Sequence, residues 1–164
     1  FIVNRLLMPY LIEFDKMLAE GYDFVHIDEV MKNYGWPMGP AELCDLVGLD
    51  IIYHGSESMS KAYDYVELAE ESTCTYLYKK NALGQKSGAG FYNWTGTKKG
   101  SKFADCGPRK EIPQEIQERL MTPMREEAAR IWCSAQDSLH LRGVCYPARS
   151  FQTHDEKASY SRCC

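Results

Sequence analysis

The 164-residue sequence predicts an all-α fold, and three observations carry that prediction. Apolar residues recur at helical spacing over residues 2–18 and again over 24–31. Glycine, aspartate and proline stand where such helices would stop and restart. A 45% apolar content at this length is enough for a real core.

The first helix sets Ile2, Val3, Leu6, Leu7, Tyr10, Leu11, Phe14, Met17 and Leu18 on one stripe, with Gly21 as its stop signal. It carries one amide near its start, Asn4, and one proline inside it, Pro9. Proline there removes a hydrogen bond and crowds the carbonyl four residues back, that of Arg5, so a bend is expected where Asn4 sits. Asp23 can cap a second helix through Phe24, Ile27, Val30 and Met31, ending near Gly35 and forming a hairpin with the first. Trp36-Pro-Met-Gly-Pro40 cannot continue it, because Pro37 and Pro40 each disfavour helical geometry in the residue before them. Pro40 suits the first position of a third helix over 41–47, with Gly48 ending it, so the segment reads as a rigid corner. A fourth helix is expected from 49 to about 61 and a short fifth over 73–80. Phe91-Tyr-Asn-Trp94 reads as an extended closing segment.

Residues 96–111 hold Gly96, Gly100, Gly107, Pro108 and five basic residues with few apolar ones, the composition of a linker, so a domain boundary is expected after residues 1–95. A final helix starts near Pro113. Its Arg119-Leu120, Pro123 and Glu127 repeat the spacing of Arg5-Leu6, Pro9 and Glu13, a weak internal repeat. After about Arg130 the pattern fails. Residues 133–164 are expected to be a disordered tail, too poor in apolar anchors to offset the entropy of ordering, and read as a frameshifted or misassembled stretch.

Charge and composition narrow the function. A net charge of −4 and a pI near 5.6 argue against a nucleic-acid surface. No apolar run has the length needed to cross a bilayer and no leader pattern opens the chain, so neither membrane insertion nor secretion is expected. The seven cysteines include no Cys-x-x-Cys spacing, and His26 and His54 lack a second histidine at ligand spacing, so no metal site is expected. Lys86-Ser-Gly-Ala-Gly90 invites a phosphate-loop reading, but it lacks the Gly-Lys-Ser order, a third glycine and a following helix. It is expected to be a structural turn that sets Phe91 and Tyr92 on the core.

Five words occur in order: Phe1-Ile-Val-Asn-Arg5, Met8-Pro9-Tyr10, Tyr34-Gly-Trp-Pro-Met-Gly-Pro40, Asp45-Leu-Val-Gly-Leu-Asp50 and Lys86-Ser-Gly-Ala-Gly-Phe-Tyr92. Together they resemble the C-terminal helical domain of the 3-hydroxyacyl-CoA dehydrogenases, in the version found in multifunctional fatty-acid oxidation proteins. The resemblance implies that the helical domain is followed by a partial second copy, starting over residues 112–132. It implies that Asn4 contacts the substrate near its reacting hydroxyl, since an amide can hold a hydroxyl or carbonyl without titrating. Met38, Gly39 and Pro40 could line the acyl pocket, or could form a buried corner that only packs helices. The family oxidises a 3-hydroxyacyl-CoA with NAD, using a histidine base oriented by a glutamate on a dinucleotide-binding domain whose glycine-rich fingerprint is not found in this sequence. The chain, which opens on Phe1 with a helical pattern already running, is therefore expected to be a fragment, inactive alone, with no catalytic base of its own. The implied setting is a homodimer or a multienzyme complex with a thiolase, in the bacterial cytoplasm, with a mitochondrial or peroxisomal one as the other choice. The competing readings are a non-enzymatic helical association module, favoured by the apolar faces of 2–18 and 24–31, and the helical part of a related hydroxy-acid dehydrogenase.

Overall fold

The computed structural model describes residues 2–69, 72–104 and 115–140, the last five without their side chains. The chain divides into two compact units, Phe1–Ile131 and Trp132–Cys164. The elements run α1 (Ile2–Ala19), α2 (Phe24–Tyr34), α3 (Pro40–Val47), α4 (Leu49–Ala62), α5 (Thr73–Lys79), β1 (Tyr92–Thr95), β2 (Lys98–Lys102) and α6 (Ile116–His140).

In the first unit α1 lies at the centre and packs on α3, α4 and α5. The stripe expected of it is buried only from Met8 onward, through Tyr10, Leu11, Phe14, Met17 and Leu18, whereas Ile2 and Val3 are exposed. Phe91 closes the core between Phe14 and Phe24, with ring centroids 5.6 and 5.2 Å away. Fully burying side chains of this size contributes about 1.5–3 kcal/mol each. Pro9 lies inside α1 without ending it. Asp23 caps α2 by accepting the Val25 N–H. At the other end Gly35, at φ 118°, lets its own N–H reach Lys32 and the Trp36 N–H reach Met31.

Besides the cap Asp23, three buried aspartates tie the unit together, and each follows a buried residue on a helix face: Phe14-Asp15, Ile27-Asp28 and Cys44-Asp45. Each receives the opening amides of a later element. Asp15 on α1 accepts the Cys74 N–H of α5 at 3.1 Å. Asp28 on α2 accepts the Ala41 and Glu42 N–H groups of α3 at 2.8 and 3.2 Å. Asp45 on α3 accepts the Phe91 and Tyr92 N–H groups at 2.8 and 2.9 Å, and the Trp94 indole N–H at 2.8 Å. Helix starts leave amides unpaired, and a carboxylate there also meets the favourable end of the helix dipole.

Two segments depart from the sequence-based expectation. Lys98–Lys102, expected within a linker over 96–111, forms β2 and pairs antiparallel with β1. Composition is a poor guide there because β2 is an exposed edge strand, whose lysines reach Glu42 and Asp23 rather than a core. The last helix, expected to lose its pattern after Arg130, runs to His140. Residues 132–135 are exposed, and an exposed helical stretch needs no apolar face to continue. In the second unit Trp132 and Cys133 are exposed. The expectation of a disordered tail falls, beyond His140, outside the described residues, as do linker residues 105–111.

The repeat between α1 and α6 appears in space as a reciprocal pair. Arg5 of α1 donates to Glu127 of α6 at 2.5 Å, and Arg119 of α6 donates to Glu13 of α1 at 2.7 Å. Matching residues of the two halves thus exchange partners, the arrangement expected of two like helices about a local two-fold axis.

Candidate functional site

Asn4 lies near the start of α1, exposed, and its side chain makes no hydrogen bond to any described residue. Its amide is therefore free to meet a ligand rather than committed to the helix start. Residues 2–4 are exposed, Arg5 to Leu7 are half-buried, and Met8 is the first buried residue of the helix. The turn bearing Asn4 thus stands out from the core.

Arg5, the next residue, is tightly held. Its guanidinium donates to Glu127 and lies 4.7 Å from the Tyr63 ring centroid. Glu127 has no exposed surface and also accepts from the Tyr65 hydroxyl at 2.7 Å and from Arg130 at 3.3 Å. Arg130 in turn covers the Tyr65 ring at 4.1 Å. On the other side of the pair, Arg119 forks onto Glu20 at 2.6 and 2.7 Å besides holding Glu13. A groove of about 150 Å³ between the two prolines is lined by Pro9, Glu13, Lys16, Tyr65, Pro123 and Arg130, among others.

The corner expected at 36–40 is joined to α1 through Tyr10, whose ring stacks on Trp36 at 5.3 Å and 7°. Tyr10 comes about 9 Å of helical rise after Asn4. Of the three corner residues, Met38 is half-buried while Gly39 and Pro40 are buried. No hydrogen bond joins any of them to Asn4 among the described residues. Gly39 has no side chain with which to cap α3, and Asp28 supplies the cap from across the chain. Only glycine fits there, because a Cβ at position 39 would overlap the Asp28 carboxylate and Cα. Asp28 also accepts the Tyr92 hydroxyl at 2.8 Å. Burial pushes its carboxyl up to about 6, against the pull of those hydrogen bonds.

The turn at Lys86–Gly90 is structural. A Cβ at Gly90 would meet the Asp45 carboxylate, which bonds the amides of Phe91 and Tyr92. A carboxylate filling the glycine turn excludes an anionic phosphate. This turn is therefore not a phosphate-binding loop. Among the described residues no group of three His, Cys, Asp or Glu could hold a metal ion, and no helix is long and apolar enough to cross a membrane.

Sequence reasoning missed the Glu127 cluster and the three aspartates. The aspartates carried a signal, since each interrupts a stripe: Asp28 sits among Phe24, Ile27 and Met31 at core-facing spacing. For Glu127 the repeat was the signal, because an Arg and a Glu recurring about a proline in both helices can pair crosswise.

A family model described as 3-hydroxyacyl-CoA dehydrogenase, C-terminal domain, matches residues 1–94. The chain is 46% identical over 108 residues to a fatty acid oxidation complex subunit alpha of Psychrobacter sp. strain PRwf-1, covering 64% of this chain and 15% of that protein. It is 46% identical over 127 residues to the subunit of the same name in Pseudomonas aeruginosa strain LESB58, covering 77% of this chain and 17% of that one. The chain thus spans about a sixth of the length of these relatives. Among solved structures it resembles an (S)-3-hydroxybutyryl-CoA dehydrogenase from Ralstonia eutropha, with a TM-score of 0.52, 32% identity, and coverage of 58% of this chain and 34% of that one. The match spans the amide-bearing helix, the corner and the closing turn alike, and the chain belongs to the family of 3-hydroxyacyl-CoA dehydrogenase C-terminal domains.

Proposed function

We propose that this chain is the substrate-binding and dimerisation part of an NAD-dependent 3-hydroxyacyl-CoA dehydrogenase of fatty-acid β-oxidation, with Asn4 as the residue that meets the substrate at its reacting end. The observation that carries the reading is the position of Asn4: an exposed amide, bonded to no described residue, on a turn that stands clear of the core. An amide there can hold the 3-hydroxyl of the substrate and the developing 3-oxo group in turn, because it offers both a donor and an acceptor. Met38 offers a flexible apolar surface for the acyl chain, and Gly39 and Pro40 fix the corner that presents it. The proton and the hydride leave through groups that this chain does not contain, so it is inactive by itself. NAD belongs to a dinucleotide-binding domain elsewhere in the gene product, and most of the coenzyme A binding belongs there too. The relatives' names, fatty acid oxidation complex subunit alpha, support a multienzyme complex; a thiolase as the neighbouring activity and a bacterial cytoplasmic setting belong to the same proposal.

The test is Asn4→Ala in the full-length gene product. It is expected to lower kcat/KM for a 3-hydroxyacyl-CoA roughly 10 to 1000-fold, about the loss of one transition-state hydrogen bond. An unchanged value would remove Asn4 from the mechanism.

A second reading, a helical association module, draws on one observation: Ile2 and Val3 are 62% and 66% exposed at the end of α1. Such residues side by side suit a protein contact, a homodimer included. Sedimentation of the isolated chain discriminates in part: a dimer supports association, while only assay of the full gene product supports catalysis.

A further inference from the structure

We propose that Glu127, Tyr65 and Arg5 form a positioning clasp that aims the Asn4 amide, so that the last helix, far away in sequence, sets the geometry of substrate contact. The inference rests on the reading of Asn4 given above and concerns which residues hold it in place.

The turn that carries Asn4 is poorly anchored by its own helix. Pro9 has no N–H to offer the Arg5 carbonyl, and residues 2–4 are exposed. Packing begins only at Met8. Among the described residues, the side-chain hydrogen bonds that tie residues 2–7 to the rest of the unit come from Arg5. Arg5 is the residue after Asn4, so any shift of its backbone is passed on directly.

The anchor at the other end is rigid. Glu127 is fully buried and held by donors from three elements: Arg5 of α1, Tyr65 after α4, and Arg130 of α6. The Arg5 guanidinium is further boxed by the Tyr63 ring, which packs 5.4 Å from that of Tyr65. A guanidinium that donates its Nε–H to a buried carboxylate while lying over an aromatic face makes a planar contact that a lysine would not reproduce.

The reciprocal pair supplies an internal control. Arg119 and Glu13 join the same two helices with the same groups at 2.7 Å. The residue before Arg119 is Glu118, where the first copy of the repeat has Asn4. Breaking that pair disturbs the same helix packing without touching the Asn4 turn.

The experiment compares Glu127→Gln, Glu13→Gln, Asn4→Ala and the double variant Asn4→Ala/Glu127→Gln in the full-length gene product, assayed with a 3-hydroxyacyl-CoA and NAD. Glu127→Gln is expected to lower kcat about tenfold with a smaller change in KM, the signature of misplaced rather than lost binding. Glu13→Gln is expected to leave kcat/KM within about twofold at a comparable loss of melting temperature. In the Asn4→Ala background, Glu127→Gln is expected to add less than about twofold, because the amide it aims is already gone. The clasp is overturned if Glu127→Gln leaves kcat unchanged, if Glu13→Gln lowers it equally, or if the Asn4 and Glu127 effects multiply in full. An Asn4→Ala variant with unchanged kcat/KM overturns the reading of Asn4 itself, and the clasp with it.

Discussion

Acidification between about pH 7 and pH 4 is expected to stabilise the folded chain through Asp28, opposite to the usual behaviour of a paired surface carboxylate. Asp28 is 2% exposed, and burial pushes its carboxyl up to about 6. In the unfolded chain it titrates near the ordinary aspartate value of about 3.9. The folded state therefore holds this proton more tightly than the unfolded one. Stability rises as the pH falls through about 6 and levels off below about 3.9. A gap of about two units corresponds to roughly 3 kcal/mol. Burial raises Asp15 and Asp45 as well, so the wild-type profile contains their share. Asp28→Asn isolates the Asp28 part: its carbonyl can still accept the Ala41 N–H, and its amide can donate to the Tyr92 hydroxyl, but the Glu42 N–H loses its acceptor. Denaturant unfolding at stepped pH, followed by tryptophan fluorescence, gives the two profiles. Their difference should change by about 3 kcal/mol across the range. Parallel profiles would show that Asp28 titrates alike in both states, and the account of its burial would be wrong.

Two further expectations concern the same set of contacts. Gly39→Ala should destabilise the chain by roughly 3–5 kcal/mol, since a methyl group displaces the Asp28 carboxylate and weakens its bonds to Ala41 and Glu42; a denaturant midpoint near that of the wild type would refute the tight approach. Trp94→Phe removes one donor from Asp45 while keeping an aromatic ring, and should lower stability by about 1–2 kcal/mol in the same assay, with no loss meaning that the indole bond contributes nothing.

Much of the helical framework was legible in the sequence because its punctuation is strong. Asp23, Gly35, Pro40 and Gly48 fall at the ends of α2 and α3, where capping chemistry needs those residue types. The hairpin strand β2 was not legible, since Lys98-Lys-Gly-Ser-Lys102 has no apolar alternation and draws its order from pairing with β1 and from ion pairs to distant residues. The site divides in the same way. Asn4 could be singled out from a local pattern, as could the corner at Met38–Pro40. The partners that hold Arg5 could not, because Tyr65 and Glu127 lie far along the chain and only the fold brings them to one place. The three aspartates show the limit of polarity as a guide: each sits on a core-facing position, and only the amides of a later element reveal why it is there.

The loan of carboxylates from one element to the start of the next has a consequence for hydrogen exchange. The opening amides of a helix have no partner within it and ordinarily trade their protons with solvent quickly. Here those of Ala41 and Cys74 point at sealed-off acceptors, as do those of Phe91 and Tyr92 ahead of the hairpin. Fraying at these starts cannot proceed alone, because releasing the amide strands a charge in the interior. The slowest deuterium uptake should therefore mark the seams between elements as well as their middles, and the unit should open all at once rather than unzip from its helix ends.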